Sequence, residues 1–177
     1  MEIERKFLVI NQEYKKLSLP ETIVQGYLNS DKNRTVRVRI QGSTAKLTVK
    51  SSTVGISREE FEYEIPVSDA RIMLDDLCEK PVIEKNRYTV DFQGSIWEVD
   101  EFLGENKGLV IAEIELESPD SEFYKPDWVG DEVSYDHRYF NSSLIKTPFR
   151  NWKRTFTLKN FLFHLMTGFK SFKPEEK

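Results

Sequence analysis

The chain begins with Glu2-Ile3-Glu4-Arg5-Lys6-Phe7, and this stretch carries the strongest indication of the fold. If it is a strand, Glu2, Glu4 and Lys6 point to one face, because strand side chains alternate with a period of two. Two carboxylates and an ammonium side by side need a partner, such as a metal ion, a phosphate or opposing charges. On spacing alone a helix is equally compatible, because Glu2 and Lys6 also stand at i,i+4.

Length and composition favour one domain with a sizeable core, since the chain has 177 residues. The 26 basic and 30 acidic residues give no basic excess, so we expect no nucleic-acid partner. Cys78 is the single cysteine and lies in an apolar stretch, which predicts a core residue in a reducing, cytoplasmic compartment. We see no signal peptide and no run of about 18 apolar residues that would span a membrane.

Alternating hydrophobicity predicts a strand-rich chain with one clear helix at Val67–Glu79 and a loop at Pro126–Gly130. The segments predicted as strands are Glu2–Val9, Thr22–Asn29, Arg34–Gln41, Thr44–Ser51, Arg58–Ile65, Val82–Phe92, Ser95–Phe102 and Leu109–Glu117. Because most of the other predicted elements are strands, the opening stretch is better explained as a strand than as a helix.

The last residues differ from the rest, so we divide the chain into a domain at 1–154 and a tail at 155–177. Apolar residues in the tail follow helical spacing, which predicts an amphipathic C-terminal helix. They are Leu158, Phe161, Leu162, Leu165, Met166 and Phe169. This helix either packs on the domain or, given Lys159, Lys170 and Lys173, serves as a homodimer contact or a membrane-surface helix.

Nearly every predicted strand carries a charged face, and the charges on each strand are mostly of one sign. The rows are Arg37 and Arg39; Lys46 and Lys50; Glu60, Glu62 and Glu64; Lys85 and Arg87; Glu98 and Asp100; and Glu113, Glu115 and Glu117. One such row is ordinary on a half-solvated sheet, but like charges in a row are unfavourable unless something opposes them. A barrel with a polar interior explains the whole pattern, because acidic and basic walls then face each other around an aqueous cavity, with the apolar faces outward under helices.

The chemistry of these rows points to a metal-bound polyphosphate. Arg and Lys side chains match the oxygens of a polyanion, and clustered carboxylates match Mg²⁺ or Mn²⁺. His137 and His164 are the only histidines and belong to no zinc motif. The chain also lacks the glycine-rich loop of P-loop proteins.

Over residues 1–153 the chain resembles the CYTH superfamily, the triphosphate tunnel metalloenzymes. The signature Glu-x-Glu-x-Lys stands at Glu2, Glu4 and Lys6. Further matching motifs follow in order at Gln25-Gly26-Tyr27, Thr35-Val36-Arg37-Val38-Arg39, Leu47-Thr48-Val49-Lys50, Glu60-Phe61-Glu62, Ile83-Glu84-Lys85-Asn86-Arg87-Tyr88, Trp97-Glu98-Val99-Asp100-Glu101-Phe102 and Ala112-Glu113-Ile114-Glu115-Leu116-Glu117. The resemblance implies an α+β, mainly β fold, in which an eight-stranded antiparallel closed barrel forms the triphosphate tunnel, with helices packed outside.

The resemblance also implies roles for individual residues. Glu2, Glu4 and Glu115 resemble metal ligands, with Glu113 and Glu62 close by. The phosphate-binding set is Lys6, Arg37, Arg39, Lys50, Lys85 and Arg87. Catalytic roles fall to Lys85, Lys6 and Tyr27, although Tyr27 is equally well explained as an ordinary strand aromatic. Less closely tied to the site are Lys46 at the rim and the carboxylates Glu60, Glu98, Asp100 and Glu117.

Within the superfamily, the chain resembles the short bacterial members. This resemblance implies hydrolysis of inorganic tripolyphosphate to pyrophosphate and phosphate, with Mg²⁺ or Mn²⁺ as cofactor. Alternatives are cyclisation of ATP to cyclic AMP, hydrolysis of thiamine triphosphate, and polyphosphate binding without turnover. Nothing in the sequence marks a pocket for adenine. The many carboxylates argue against a module that only binds an anion.

Overall fold

The opening stretch is a strand. The computed structural model describes residues 2–152, and in it Glu2–Val9 forms β1. Its side chains alternate as the sequence predicts: Phe7 lies in an apolar cluster, whereas Glu4 and Lys6 line a polar cavity. The i,i+4 spacing of Glu2 and Lys6 therefore has no helical meaning here.

Nine further strands surround β1, and every pairing between strands is antiparallel. They are β2 (Glu21–Asp31), β3 (Arg34–Gln41), β4 (Thr44–Ser51), β5 (Ser57–Arg58), β6 (Glu60–Glu64), β7 (Ile83–Phe92), β8 (Ser95–Phe102), β9 (Val110–Glu115) and β10 (Val129–Glu132). The strand order is β10-β1-β9-β8-β7-β2-β3-β4-β6, and β5 pairs with β1. The prediction of a mainly β, antiparallel fold is confirmed.

The predicted eight-stranded closed barrel is wrong in strand number and in closure. The predicted strand at 58–65 is divided at Glu59 into β5 and β6, and β10 begins within the predicted loop Pro126–Gly130. The main sheet ends at β6 on one side and β10 on the other. One edge of β1 is shared, because β5 pairs with its first residues and β10 with its last. The two-residue β5 is thus the link between β1 and the β6 side of the sheet.

One helix covers part of the outer sheet surface. α1 (Val67–Ile72) continues into a π-helical turn at Met73–Leu77, so the predicted helix is present but ends before Cys78, whose backbone is extended. Its buried residues pack with Val38 and Ala45 of β3 and β4. Gly26 of β2 permits this approach, because a Cβ there would lie 2.8 Å from Cys78 Cβ.

A second outer cluster is covered by loops and a 3-10 turn instead of by a helix. Phe7, Trp97, Val99 and Ile114 of β1, β8 and β9 pack there against Trp128. The rings meet edge to face, with the centroids of Trp97 and Trp128 5.8 Å apart. Aromatic side chains thus shield this face, and within residues 2–152 no α-helix packs on it.

The third cluster closes one end of the sheet's interior. Ile83 and Phe102 lie two residues from Lys85 and Asp100, and so share their inward face. These apolar residues pack with Tyr27 and with Leu144 and Ile145, at the end of the short helix α2 (Asn141–Leu144). The interior therefore combines a polar cavity with a packed apolar end.

The predicted C-terminal helix at 155–177 lies outside the described residues. Within residues 2–152, no helix is long and apolar enough to cross a membrane.

Candidate active site

The inward faces of the strands line a cavity of about 490 Å³, a size typical of small-ligand sites. All the residues that the sequence assigned to catalysis, phosphate binding or metal binding lie on its wall. They are Glu2, Glu4, Lys6, Tyr27, Arg37, Arg39, Lys50, Glu62, Lys85, Arg87, Glu113 and Glu115. The fold thus brings together residues from the first to the last third of the described chain.

The charges on this wall are balanced. The basic residues number seven: Lys6, Arg37, Arg39, Lys50, Arg58, Lys85 and Arg87. The carboxylates also number seven: Glu2, Glu4, Glu60, Glu62, Glu98, Glu113 and Glu115. In the described part of the chain, each of these carboxylates except Glu115 pairs with a cation, so the acidic and basic walls do oppose each other as the alternation predicted.

One basic wall is organised by Asp100. This carboxylate is fully buried, accepts hydrogen bonds from Arg87 Nε at 2.7 Å and Nη2 at 2.6 Å, and pairs with Lys85 Nζ. Burial and the neighbouring Arg87 charge together lower the pKa of Lys85 to about 8, against the opposing effect of Asp100. Asp100 itself does not line the cavity, so it holds Lys85 and Arg87 from behind.

A second basic wall is organised by Glu62. Its Oε2 atom lies 3.2 Å from Arg39 Nη2 and 3.5 Å from Arg37 Nη2. Lys46 Nζ reaches Oε1 at 2.6 Å but is not among the residues lining the cavity. Glu62 therefore pairs with three cations. Its contacts explain a role in positioning the basic side chains at least as well as a role in binding a metal.

The acidic end of the cavity is built on β1 and β9. Glu4 stands directly opposite Glu115 in the strand register, an arrangement of like charges that is unfavourable without a cation. Burial and, to a smaller extent, the charge of Glu113 raise the pKa of Glu4 to about 7, against the opposing effect of Lys6. Glu115 is exposed and has no ion-pair partner among residues 2–152.

Glu2 is held differently from Glu4. Burial opposes its ionisation, but the charges of Lys50 and Arg58 outweigh burial and lower its pKa to about 2. Lys50 Nζ lies 3.0 Å from Glu2 Oε1, and Arg58 Nε lies 2.6 Å from Oε2.

The donor set of Glu2, Glu4 and Glu115 fits a hard divalent cation, because all its atoms are carboxylate oxygens and Mg²⁺ and Mn²⁺ prefer such ligands. In the part of the chain that the structure describes, these side chains do not converge as a ready three-ligand metal cage. The reason is visible in the contacts: Lys6, Lys50 and Arg58 occupy the oxygens of Glu2 and Glu4.

Lys6 and Tyr27 are the other two wall residues with a predicted catalytic role. Lys6 Nζ donates to Glu4 and Glu113 and so bridges β1 and β9. Tyr27 is buried at the boundary with the apolar end, and burial raises the pKa of its hydroxyl, while the nearby charges of Arg37 and Arg58 act in the opposite direction. Tyr27 therefore meets both descriptions given to it, the core aromatic and the cavity residue.

Sequence reasoning assigned no role to Arg58, Thr35 or Ser134, which also line the cavity. Arg58 had a usable signal, since it stands two residues before Glu60 and shares the inward face. Ser134 had none, because it follows the short β10 and accepts a hydrogen bond from the Lys6 backbone at 2.9 Å. Of the less certain carboxylates, Glu60 and Glu98 line the cavity, whereas Asp100 and Glu117 do not.

Comparison with known families agrees with this geometry. The family model described as CYTH domain matches residues 1–147. The chain belongs to the CYTH domain family. An inorganic triphosphatase of Acetivibrio thermocellus is 56% identical over 152 residues, covering 86% of this chain and 97% of that protein. An inorganic triphosphatase of Nitrosomonas europaea is 38% identical over 148 residues, covering 81% of this chain and 95% of that protein.

Solved structures show the same CYTH architecture. The crystal structure of an inorganic triphosphatase superposes with a TM-score of 0.61 at 33% identity, covering 82% of this chain and 94% of that chain. A putative adenylate cyclase from Bacillus halodurans superposes with a TM-score of 0.54 at 16% identity, covering 67% of this chain and 81% of that chain. At that identity the second likeness concerns the fold alone.

Proposed function

We propose that this CYTH protein hydrolyses the terminal phosphoanhydride bond of a triphosphate, with inorganic tripolyphosphate as its preferred substrate. The observation that carries the proposal is a single cavity whose wall holds seven cations and seven carboxylates. Such a wall can bind phosphate oxygens and metal ions side by side, as phosphoryl transfer requires. The two relatives named inorganic triphosphatase, at 56% and 38% identity, support the choice of substrate.

The metal would be held by Glu2, Glu4 and Glu115, with Glu113 and Glu62 as neighbours. A bound Mg²⁺ or Mn²⁺ supplies charge neutralisation at the phosphate oxygens. The charge balance of the cavity supports a role for a metal: among residues 2–152 the wall carries seven basic and seven acidic side chains, so by itself it offers a polyanion little net attraction. Carboxylates that are engaged by a metal leave the basic residues free for the phosphates.

The basic residues position the substrate and stabilise the charge that develops as the bond breaks. Arg37, Arg39 and Lys50 bind phosphate oxygens along one wall. Arg87 and Lys85 bind them along the other, where Asp100 fixes their direction. Lys6 and Lys85 stabilise charge on the leaving phosphate oxygen, and the Tyr27 hydroxyl donates a hydrogen bond to a phosphate oxygen.

The cavity wall favours an inorganic triphosphate over a nucleotide. Apart from Tyr27, Ile96, Ile56 and Phe140, its side chains are polar or charged, and a nucleoside needs an apolar or aromatic surface for its base. We also propose that the protein is cytoplasmic, forms a homodimer and has no nucleic-acid partner.

The test is phosphate release from purified protein with tripolyphosphate, ATP and thiamine triphosphate in parallel, each with Mg²⁺, with Mn²⁺ and with chelator. We expect metal-dependent release from tripolyphosphate at a rate well above that from the other two. Formation of cyclic AMP and pyrophosphate from ATP would replace the proposal with a cyclase. Tight binding of tripolyphosphate without release of phosphate would replace it with a binding module.

A further inference from the structure

Arg58 lies between the two carboxylates of β1 that are proposed to hold the metal. Its Nε atom donates to Glu2 Oε2 at 2.6 Å, and its Nη2 atom donates to Glu4 Oε2 at 3.5 Å. The side chain is 22% exposed and lines the cavity. A guanidinium thus contacts both of the carboxylates of β1 that would hold the metal.

All four oxygens of these two carboxylates are in contact with cations of the same chain. Lys50 Nζ lies 3.0 Å from both oxygens of Glu2, and Arg58 shares Oε2. Lys6 pairs with Glu4 Oε1, and Arg58 takes Oε2. A metal ion that binds Glu2 and Glu4 therefore competes with these side chains for the same carboxylate oxygens.

The backbone singles out Arg58 as the side chain that yields. Lys6 is on β1, which pairs along both edges, and Lys50 is on β4, which pairs with β3 and β6. Arg58 is on β5, which is two residues long and pairs only with β1. It directly follows a tight turn in which Val54 and Ser57 exchange backbone hydrogen bonds. Segments with few backbone hydrogen bonds reorganise at the lowest cost in free energy.

We propose that Arg58 is a displaceable counter-ion, which neutralises Glu2 and Glu4 before the metal binds and is then transferred to the phosphates of the substrate. Metal and guanidinium compete for the same carboxylate oxygens. Once released, the guanidinium remains within the cavity, and its forked donors match phosphate oxygens. This inference rests on the proposed function and adds a residue that links metal binding to substrate binding.

The proposal predicts effects of opposite sign in one variant. In Arg58→Gln, Mn²⁺ alone binds more tightly, because its competitor is gone. With Mn²⁺ present, imidotriphosphate, an analogue with nitrogen bridges that resists hydrolysis, binds more weakly, because one phosphate contact is lost. We expect about tenfold in each direction, the effect of losing one charged contact of roughly 1.4 kcal/mol.

Isothermal titration of full-length protein with Mn²⁺, and then of the Mn²⁺-loaded protein with imidotriphosphate, measures both effects without turnover. Arg39→Gln is the matched control, since it removes an arginine from the same cavity that contacts Glu62 but neither Glu2 nor Glu4. It should weaken imidotriphosphate binding while changing Mn²⁺ binding by less than about twofold. If Arg58→Gln does not fold, Arg58→Lys decides, because an ammonium lacks the fork by which two guanidinium nitrogens contact Glu2 and Glu4, and it should still strengthen Mn²⁺ binding.

Three outcomes overturn the proposal. If the Mn²⁺ affinity of Arg58→Gln is equal to or below that of wild type, Arg58 does not compete with the metal. If its imidotriphosphate affinity is unchanged, Arg58 does not move to the phosphates. An equal gain in Mn²⁺ affinity in Arg39→Gln would reduce the effect to general charge. These results leave the proposed function standing if the wild type binds Mn²⁺ and hydrolyses tripolyphosphate, whereas a wild type that does neither ends both.

Discussion

Lys85 combines nearly complete burial with a position on the cavity wall. It is 1% exposed, and its ammonium is positioned by Asp100. We expect Lys85→Ala to lower kcat for tripolyphosphate by about 10²- to 10³-fold, since it removes a preorganised charge at the phosphates. The fold should survive, because Arg87 still pairs with Asp100 at 2.6 Å.

Arg39→Ala should also lower kcat for tripolyphosphate, because it too removes a charge at the phosphates. Its fold should survive, because Glu62 still pairs with Lys46 and Arg37. Steady-state kinetics, with circular dichroism to verify folding, measure both variants. Lys32→Ala, which removes an exposed lysine outside the cavity, is the control. Turnover near wild type in a folded Lys85→Ala protein would show that this residue has no part in the reaction.

Glu4 makes the stabilising effect of Mg²⁺ depend on pH. In the metal-free protein its pKa is about 7, against an ordinary value of 4.5, so the folded state retains a proton that the unfolded chain releases. Between those values the stability of the metal-free protein falls as pH rises, and it falls no further above about 7. Mg²⁺ bound to the ionised carboxylate removes this loss, so the rise in Tm caused by Mg²⁺ should grow from about pH 5.5 to about pH 8.

Thermal unfolding with saturating Mg²⁺ and with chelator across this range measures the effect. Glu84→Gln, which changes an exposed carboxylate of β7 outside the cavity, should behave like wild type. In Glu4→Gln, Mg²⁺ should raise Tm only slightly, and by the same amount at every pH. If Mg²⁺ raises Tm by the same amount across this pH range in the wild type, Glu4 is not a metal ligand.

At the scale of elements, the sequence predicted the long strands well and the short ones poorly. Period-two alternation located β3, β4, β7 and β8 within a residue or two, because each has eight or more residues. β5 and β10 have two and four residues, too few for a period to be recognised. Because β5 was not separated from β6, Arg58 was placed at the start of one longer strand and was given no role.

The apolar end of the interior escaped prediction for a different reason. Ile83 and Phe102 continue the charged faces of β7 and β8 by one position beyond Lys85 and Asp100. Alternation shows that they point inward, but not that Leu144 and Ile145 come from 40 or more residues away to cover them. Contacts of this kind depend on tertiary packing, which a local pattern does not encode.

This end of the molecule should contribute strongly to stability. Leu144 is completely buried among Tyr27, Ile83 and Phe102. Leu144→Ala should lower the free energy of unfolding by about 2–5 kcal/mol, because it leaves a cavity in packed surroundings. Leu19→Ala is the matched control, since Leu19 is 90% exposed, and it should cost less than about 0.5 kcal/mol.

Urea unfolding of the two Leu→Ala variants measures the difference. A similar, small loss in both would mean that α2 is not packed against the sheet as described. Because Tyr27 belongs to the same cluster, Leu144→Ala should also lower kcat/KM in the protein that remains folded, whereas Leu19→Ala should leave it unchanged.

At the scale of the whole molecule, the candidate site was predictable because the charges were sorted by sign along the chain. Opposed walls required strands distant in sequence to meet, and Lys6 of β1 does reach Glu113 of β9. The individual pairs were not predictable, because they depend on strand register. Asp100 illustrates the limit: its carboxylate is on an inward face, yet it lies behind Lys85 and Arg87 instead of on the wall.

Residues 1–154 should fold and function without the tail. Residues 2–152 already contain three apolar clusters and a cavity wall with all the predicted site residues. We therefore expect a chain ending at Arg154 to unfold cooperatively and to keep kcat/KM for tripolyphosphate within about twofold of the full chain, as for a segment outside a folded domain. Thermal unfolding and kinetics on both chains test this, and light scattering compares their oligomeric state. A short chain that aggregates or loses turnover would place residues 155–177 inside the domain, whereas a change from dimer to monomer would assign the homodimer contact to the tail.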